Sequence, residues 1–245
     1  MKKAFAIAVA VFVSFTCPGW CAQGYAYETF VAQSAADGVS EYPHEFLEAA
    51  RDFIVTVPKL PPIGKWMFDN DRMPARWRGL KHRSWMLIEP INVIILDVVS
   101  RSGQEATEFL LNACGAAGYR DRGIHSGGYF GYIDGAYCAS ISGFGRAFSD
   151  APCLLPNNHG RIFGPVRGRN CWIFIAAFSR ENVSPLLKHT YASITEAREA
   201  FVRSMVRQGQ YQNGPYKWLN NAIYASREVS TGDHDGRAAV LIRLY

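Results

Sequence analysis

Two long apolar runs dominate the hydrophobic pattern of this chain and predict its central strands. The first run, 85–99 (WMLIEPINVIILDVV), is almost unbroken in apolar character from Ile91 and is rich in isoleucine and valine. The second run, 171–178 (CWIFIAAF), is similarly continuous. Continuous runs of this kind are typical of strands that are buried on both faces. The pattern therefore predicts a sheet with central strands at 91–99 and 171–178.

Two other segments have the periodicity of helices. Ser102 and Ser193 are each followed by a glutamate three residues later, which is the spacing of a capping box. Apolar residues then recur three and four apart, at Phe109, Leu110, Ala113 and Cys114 in the first segment and at Ala197, Ala200 and Phe201 in the second. Glycines beyond each stripe end the predicted helices, near 102–114 and 195–208. Helices packed on such a sheet predict a single α+β, or mixed α/β, domain.

The pattern outside this core is less regular. Residues 27–54 have helical periodicity, whereas the prolines of 57–64 exclude a continued helix and indicate an extended connection over the surface. Glycine and aromatic residues dominate 119–156 and indicate turns and short strands. Two further strands are predicted at 222–229 and 238–244, because a turn-rich connection separates them.

The N-terminus has the layout of a secretory signal peptide. Lys2 and Lys3 precede the apolar run 4–15, and small residues at Gly24 and Ala26 suit cleavage after Ala26. The run is shorter than the roughly 20 residues of a membrane span, and an uncleaved N-terminal anchor is the alternative. We therefore expect a secreted or periplasmic protein with no transmembrane span in the mature chain.

These features divide the chain into three predicted parts. They are the signal peptide 1–26, a helical and Pro/Arg-rich extension 27–83, and the α+β domain 84–245. Loss of the signal peptide lowers the net charge from +5 to +3, because it removes two lysines and no acid. This mild excess suits contact with phosphate-rich surfaces, but it is too weak and too scattered to predict specific nucleic-acid binding.

The cysteines carry information about the compartment. Four remain after cleavage: Cys114, Cys138, Cys153 and Cys171. An even number in an oxidising compartment predicts one or two disulfides, and four cysteines allow three connectivities. Buried free thiols are the alternative.

Arginines alternate with aromatic residues between 65 and 83 (KWMFDNDRMPARWRGLKHR). Such interleaving can bind single-stranded nucleic acid or an anionic membrane face through stacking and charge. The alternative is that arginine stems lie over the exposed edges of aromatic core residues. Arg76 and Arg78 of this segment are candidate ligand-binding residues.

Polar side chains gather around the second apolar run. His159, Arg161 and His189 are the candidate catalytic residues, because histidine exchanges protons near neutral pH and arginine holds a phosphate or carboxylate through paired hydrogen bonds. Arg167, Arg169 and Arg180 are candidate ligand-binding residues on the same segment. If Glu181 or Glu196 lies beside the histidines, general acid–base chemistry on a phosphodiester becomes conceivable. The alternative is that these side chains only hydrogen-bond loop carbonyls.

Other catalytic patterns are not met. Asp233, His234 and Asp235 could hold a cation, as could His125 with Asp121 or Asp134, but no pair has metal-ligand spacing on one helical face. We therefore predict no metal and no cofactor. Gly-x-Ser-x-Gly is absent, no lysine-serine or lysine-threonine pair follows the glycine-rich segments, and an oxidising compartment argues against a nucleophilic thiol.

Over residues 84–210 the order of short motifs resembles the C-terminal domain family of LssY-type proteins. The motifs are Pro90 to Ile94, Ala117-Gly118-Tyr119, Asn158 to Phe163, Trp172 to Arg180, and His189-Thr190. The chain departs from the family pattern at three of them: it has Tyr119 in place of tryptophan, one histidine in place of a pair at His159, and His189-Thr190 in reverse order.

The resemblance implies little about activity. Some members of that family are fused to membrane phosphatase domains, but the domain itself brings no settled activity, and the Pro-Ser-Gly-His phosphatase motif is absent here. Two hypotheses result from the sequence. The first is a non-enzymatic exported domain that binds an anionic lipid, glycan or protein surface, with peripheral membrane contact, through arginines of 72–83 and 161–180. The second is a secreted phosphoester hydrolase that uses His159, Arg161 and His189.

Overall fold

The computed structural model describes residues 44–184, 188–224 and 228–245. Their helices are α1 (His44–Arg51), α2 (Gly103–Ala116) and α3 (Thr195–Arg207). Their strands are β1 (Ile54–Val55), β2 (Ile63–Gly64), β3 (Met86–Leu87), β4 (Val93–Asp97), β5 (Arg120–Arg122), β6 (Phe130–Ile133), β7 (Ala136–Ala139), β8 (Ala147–Ser149), β9 (Asn157–Arg167), β10 (Trp172–Val183), β11 (His189–Ser193), β12 (Tyr211–Trp218), β13 (Val229–Ser230) and β14 (Arg237–Arg243). The predicted signal peptide and the first part of the predicted N-terminal helix, up to residue 43, lie outside the described residues.

A large mixed sheet forms the centre of the molecule. Its strands lie in the order β12-β14-β4-β10-β9-β8-β5, and β11 pairs with the distal part of β10. The pair β14 and β4 is parallel, and the other pairs in this sheet are antiparallel. The predicted α+β class with a central mixed sheet is therefore confirmed.

The two apolar runs are the middle strands of this sheet. In β4, Val93 and Ile95 face the helices, whereas Ile94 faces the opposite side, and all three are fully buried. In β10, Phe174 and Phe178 contact the helix side, while Ile175 packs on the other. Burial on both faces explains why these segments read as continuous apolar runs.

The helices α2 and α3 pack on one face of the sheet. The Ser102 side-chain oxygen accepts a hydrogen bond from the Glu105 backbone N–H at 3.1 Å, and the Ser193 oxygen accepts from the Glu196 backbone N–H at 2.8 Å. Ser102 is therefore the N-cap of α2, as predicted, whereas the N-cap position of α3 is Ile194 and Ser193 makes its hydrogen bond from the residue before it. The buried stripe of α3, which includes Phe201, stacks on Phe178 of β10 with ring centroids 4.0 Å apart.

The opposite face is covered by a small sheet and by the segment between α1 and β4. The small sheet has the order β1-β2-β6-β7. Val57, Ile63 and Met67 of the covering segment are buried in the same cluster as Ile94 and Ile175. This second layer lies opposite the sheet, so that a cavity can form between the two.

One predicted strand is misplaced. Residues 222–224 are not in a strand, and 225–227 lie outside the described residues, whereas β12 occupies 211–218 at the edge of the sheet. Its burial pattern is mostly exposed and it contains Gly214 and Pro215, so it lacks the apolar alternation that marks a strand in sequence.

The cysteines of the described residues form no disulfide. Cys114, Cys138, Cys153 and Cys171 are free thiols, so the predicted cross-links are not seen. The sheet separates Cys114, which lies in the core on the helix side, from Cys138 and Cys171, which pack on the opposite side. In the described part of the chain, no helix combines the length and apolar composition needed to cross a bilayer.

Candidate functional site

The pairing of β9 with β10 places three polar side chains on one face of the sheet. Asn157 lies opposite Glu181, His159 opposite Ser179, and Arg161 opposite Ala177. Successive side chains of a strand alternate between faces, so positions two apart share a face. This face is the one away from the helices, since Ala177 belongs to the cluster beneath the covering segment.

Glu181 is the centre of this group. Its Oε1 atom lies 2.7 Å from Nδ1 of His189 and 3.7 Å from Nδ1 of His159. The Asn157 amide donates to the same oxygen at 3.3 Å. His189 comes from β11, opposite Val183, which places it diagonally across from Glu181. A carboxylate oxygen only accepts hydrogen bonds, so this contact is favourable when the His189 Nδ1 carries a proton.

His159 is held as a neutral imidazole. Its Nδ1 atom lies 3.1 Å from the Asn157 side-chain oxygen, which can only accept, so Nδ1 carries the proton. Burial, followed by the nearby Arg161, His125 and His189, lowers the pKa of His159 well below its ordinary value. The His125 ring stacks on it with centroids 5.5 Å apart.

Arg161 is buried without a carboxylate in direct contact. Burial lowers its pKa, and the charges of Glu89 and Glu181 oppose that shift from a longer distance. Its Nη2 donates to the Ser126 backbone oxygen at 2.7 Å, and its guanidinium lies over the Tyr129 ring, 4.4 Å from the centroid. No carboxylate oxygen of the described residues lies within 4.0 Å of it. The other two buried arginines of the described residues differ: Arg198 donates to Asp235 at 2.7 Å and Arg243 to Asp97 at 2.9 Å.

A second carboxyl group, Glu89, lies in the same region. It precedes Pro90 in the segment before β4 and is buried. Burial, together with the charge of Glu181, raises the pKa of Glu89 to about 7, although Arg161 opposes the shift. Glu89 therefore exchanges its proton near neutral pH, which makes it suited to act as an acid or a base.

These side chains line one cavity of about 510 Å³. Its lining comprises the residues Trp77, Arg78, Gly79, Leu80, Glu89, Ile124, His125, Ser126, Tyr129, Cys153, Leu154, His159, Arg161, Glu181, Lys188 and His189. A larger cavity of about 650 Å³ adjoins it and shares the wall formed by Trp77, Arg78, Gly79 and Tyr129. The smaller cavity holds the coupled histidines and carboxyl groups, so it is the one suited to chemistry.

The predicted site residues do not all lie in this cavity. His159, Arg161 and His189 line the same cavity, and Arg78 lies at its wall. Arg76 lines only the adjoining cavity.

The remaining predicted arginines lie elsewhere. Arg180 is one position out of phase with Glu181 and lies on the helix face, where its Nε is 3.7 Å from Glu196. Arg167 and Arg169 are exposed at the far end of β9, and Arg167 lies over the Trp172 ring, 4.9 Å from its centroid. The arginines of 161–180 therefore do not form one surface, which corrects that part of the binding hypothesis.

Several cavity residues were not predicted as parts of this site. Tyr129 and Ser126 come from the glycine-rich segment, where nothing in the local pattern marks a polar network. His125 was considered only as a metal ligand. Glu89 had a detectable signal, because it is a carboxylate inside an otherwise apolar run, and such a group is rarely buried without a partner or a function.

The acidic turn considered for a cation has structural partners. Asp233 accepts from the backbone N–H of Ile194 at 2.7 Å at the start of α3, and Asp235 pairs with Arg198. Among the residues with described positions, no group of three or more His, Cys, Asp or Glu side chains is arranged to hold a metal ion.

Three comparisons with known proteins complete the description of the site. Neither protein-family models, nor curated proteins, nor solved structures give a match to this chain.

Proposed function

We propose that the cavity binds the anionic group of a ligand, a phosphate or a carboxylate, on Arg161. The observation that carries this proposal is a buried guanidinium with no carboxylate within ion-pairing distance among the described residues. Glu89 and Glu181 act on this charge only from beyond ion-pairing distance, and burying a charge without a contacting counter-ion is costly. A ligand anion in the cavity would supply that charge through paired hydrogen bonds.

The rest of the cavity supports an anion more than a cation. His159 and His125 are neutral at pH 7, because burial lowers the pKa of both, that of His125 to about 4. Nε2 of His125 is buried and has no hydrogen-bond partner among the described residues, so it can receive a polar ligand atom. Arg78 and Lys188 add positive charge at the walls, against Glu181 and against Glu89, whose raised pKa favours its neutral form.

Arg161→Gln is expected to weaken the binding of inorganic phosphate by about 10- to 100-fold, which is the effect of losing a charged hydrogen-bonding partner. Arg161→Lys should recover only part of the affinity, since lysine lacks the planar fork. Isothermal titration calorimetry with phosphate and with acetate measures both effects.

The matched control for this test is Arg167→Gln, on the same strand but outside the cavity. It should leave phosphate affinity unchanged. Equal affinities for wild type and Arg161→Gln, or an equal loss with Arg167→Gln, would contradict the proposal.

A second candidate function, hydrolysis of a phosphoester, is favoured by the 2.7 Å contact between Glu181 and His189. In this reaction the Nε2 of a neutral His189 ring takes a proton from a water molecule while the water oxygen bonds to phosphorus. The ester P–O bond breaks, and the leaving oxygen takes a proton from a neutral acid, for which Glu89 is the candidate. Glu181 orients the His189 ring and stabilises its protonated form. Arg161 holds the phosphoryl oxygens.

Turnover of p-nitrophenyl phosphate and bis(p-nitrophenyl) phosphate tests this candidate. His189→Ala and Glu181→Gln should each lower kcat by about 100-fold or more, as expected for loss of general acid–base catalysis, while phosphate affinity stays near that of the wild type. His159→Ala should also reduce turnover. No turnover by the wild type, together with intact phosphate binding, would leave the binding function and reject the hydrolase.

A further inference from the structure

The mouth of the cavity carries apolar side chains that are exposed to solvent. Ile124 is 91% exposed, Leu154 59% and Leu80 45%, and all three line the cavity. Leu155, next in sequence to Leu154, is 53% exposed. Single exposed apolar residues are ordinary, but a group around the opening of a polar cavity marks a contact surface.

Ile124 is held there by a strained backbone. Its φ angle is +66°, in the left-handed region that β-branched residues rarely adopt. Such strain persists only where the surrounding structure imposes it, and it concentrates at functional sites. The chain thus directs a large apolar side chain into solvent although asparagine or glycine would fit this backbone better.

Basic side chains accompany this apolar rim. Arg78 and Lys188 are exposed and line the same cavity, and exposed Lys81 lines the adjoining one. Apolar side chains beside lysine and arginine are the combination that binds the surface of an anionic bilayer, where the apolar groups enter the headgroup boundary and the basic groups face lipid phosphates. A soluble anion would use Arg161 but would gain nothing from the apolar rim.

We propose that the anionic ligand is the phosphate headgroup of a membrane phospholipid, reached when Leu80, Ile124 and Leu154 insert into the bilayer surface around the cavity. This inference rests on the proposed function of Arg161, to which it adds the class of ligand and the mode of docking. The protein would then act at the surface of a membrane.

Binding to vesicles of phosphatidylglycerol in phosphatidylcholine, measured by co-sedimentation, tests this inference. Ile124→Asn and Leu154→Ser should each weaken vesicle binding by about tenfold, the loss expected for one inserted apolar side chain. Both variants should keep the affinity of the wild type for inorganic phosphate. Ile124→Asn should also unfold at the same or a higher temperature, because asparagine tolerates the left-handed backbone.

The matched control is Val98→Asn. Val98 directly follows β4 and is 53% exposed. The preceding residue, Asp97, lies opposite Trp172 at the start of β10, whereas Glu181 of the cavity lies near the other end of that strand. This change should leave vesicle binding unaltered, and vesicles of pure phosphatidylcholine should bind the wild type less tightly.

The outcomes distinguish the two proposals. Phosphate binding that depends on Arg161, without binding to anionic vesicles, would overturn the lipid inference and leave the proposed function intact; the apolar rim would then be a protein-binding surface. Vesicle binding that survives Arg161→Gln, or that is unchanged in Ile124→Asn and Leu154→Ser, would also overturn it. Loss of vesicle binding in all three variants, but not in Val98→Asn, supports it.

Discussion

Arg243→Ala is expected to destabilise the fold by about 3 to 5 kcal/mol, the effect of removing one partner from a buried ion pair. Arg243 donates to the Asp97 carboxylate at 2.9 Å, and both side chains are almost fully buried. The substitution leaves the carboxylate in the core without its cation and removes the guanidinium from the face of Phe109, where it lies 3.3 Å from the ring centroid.

Asp97 is buried in its charged form, so it requires neighbouring groups that stabilise a negative charge. Burial alone would raise its pKa, but hydrogen bonds from Ser100 and Val99 and the contact with Arg243 lower it overall. The pair joins the ends of β4 and β14, which are parallel neighbours in the sheet.

Urea unfolding at pH 7 measures this loss. Arg146→Ala is the control, since Arg146 forms a partly exposed pair with Asp121 and should cost at most about 1 kcal/mol. A change below about 1 kcal/mol for Arg243→Ala would show that the pair does not stabilise the fold.

His234 is expected to make the fold sensitive to acid. It is fully buried, and burial, followed by the charge of Arg198, lowers its pKa from the ordinary 6.5 to about 4. The unfolded chain therefore takes up a proton at His234 below about pH 6.5, whereas the folded chain does so only near pH 4. The contribution of this residue to stability is present above pH 6.5 and is lost as the pH falls to 4.

The loss amounts to about 3 kcal/mol for a shift of this size. His234→Gln isolates it, because Asn221 accepts a hydrogen bond from the His234 Nε2 at 2.8 Å and a glutamine amide can donate in its place. The difference in free energy of unfolding between wild type and His234→Gln should shift by about 3 kcal/mol in favour of the variant between pH 7 and pH 4.

The wild type must be compared with His234→Gln at each pH, because the titration of Glu89 changes the free energy of unfolding in the opposite direction. Its raised pKa, about 7, stabilises the fold as the pH falls. His44→Gln is the control, since the His44 side chain is 80% exposed. A constant difference between wild type and His234→Gln across this pH range would contradict the prediction.

Part of the candidate site could be predicted from local sequence alone. His159 and Arg161 are candidates because of their chemistry, but β9, the strand that carries them, is not among the predicted strands. Once that strand forms, the alternation of side chains places the two residues on the same face. The same alternation separates Arg180 from these two residues, although the sequence makes all three candidates on one segment. The strand extends through Val183, which puts Glu181 on the cavity face and its neighbour Arg180 on the helix face.

The partners of these residues could not be predicted in this way. His189 reaches Glu181 because β11 folds back along β10 with a bulge beside Arg180, and Ser126 and Tyr129 arrive from a glycine-rich loop. Glu89 comes from the segment before β4. No fixed spacing in the sequence predicts any of these contacts, because each depends on strand register and on how the second layer covers the sheet.

The sequence by itself determined the central strands, the capped helices and the α+β class, because apolar periodicity and local hydrogen bonding are properties of short segments. Its signal-peptide pattern stays a prediction outside the described residues. Only the tertiary structure decided that His159, Arg161 and His189 share a cavity with Glu89 and Glu181, and that apolar side chains surround its mouth. Those relations are set by long-range pairing and burial, which act between segments that no local pattern connects.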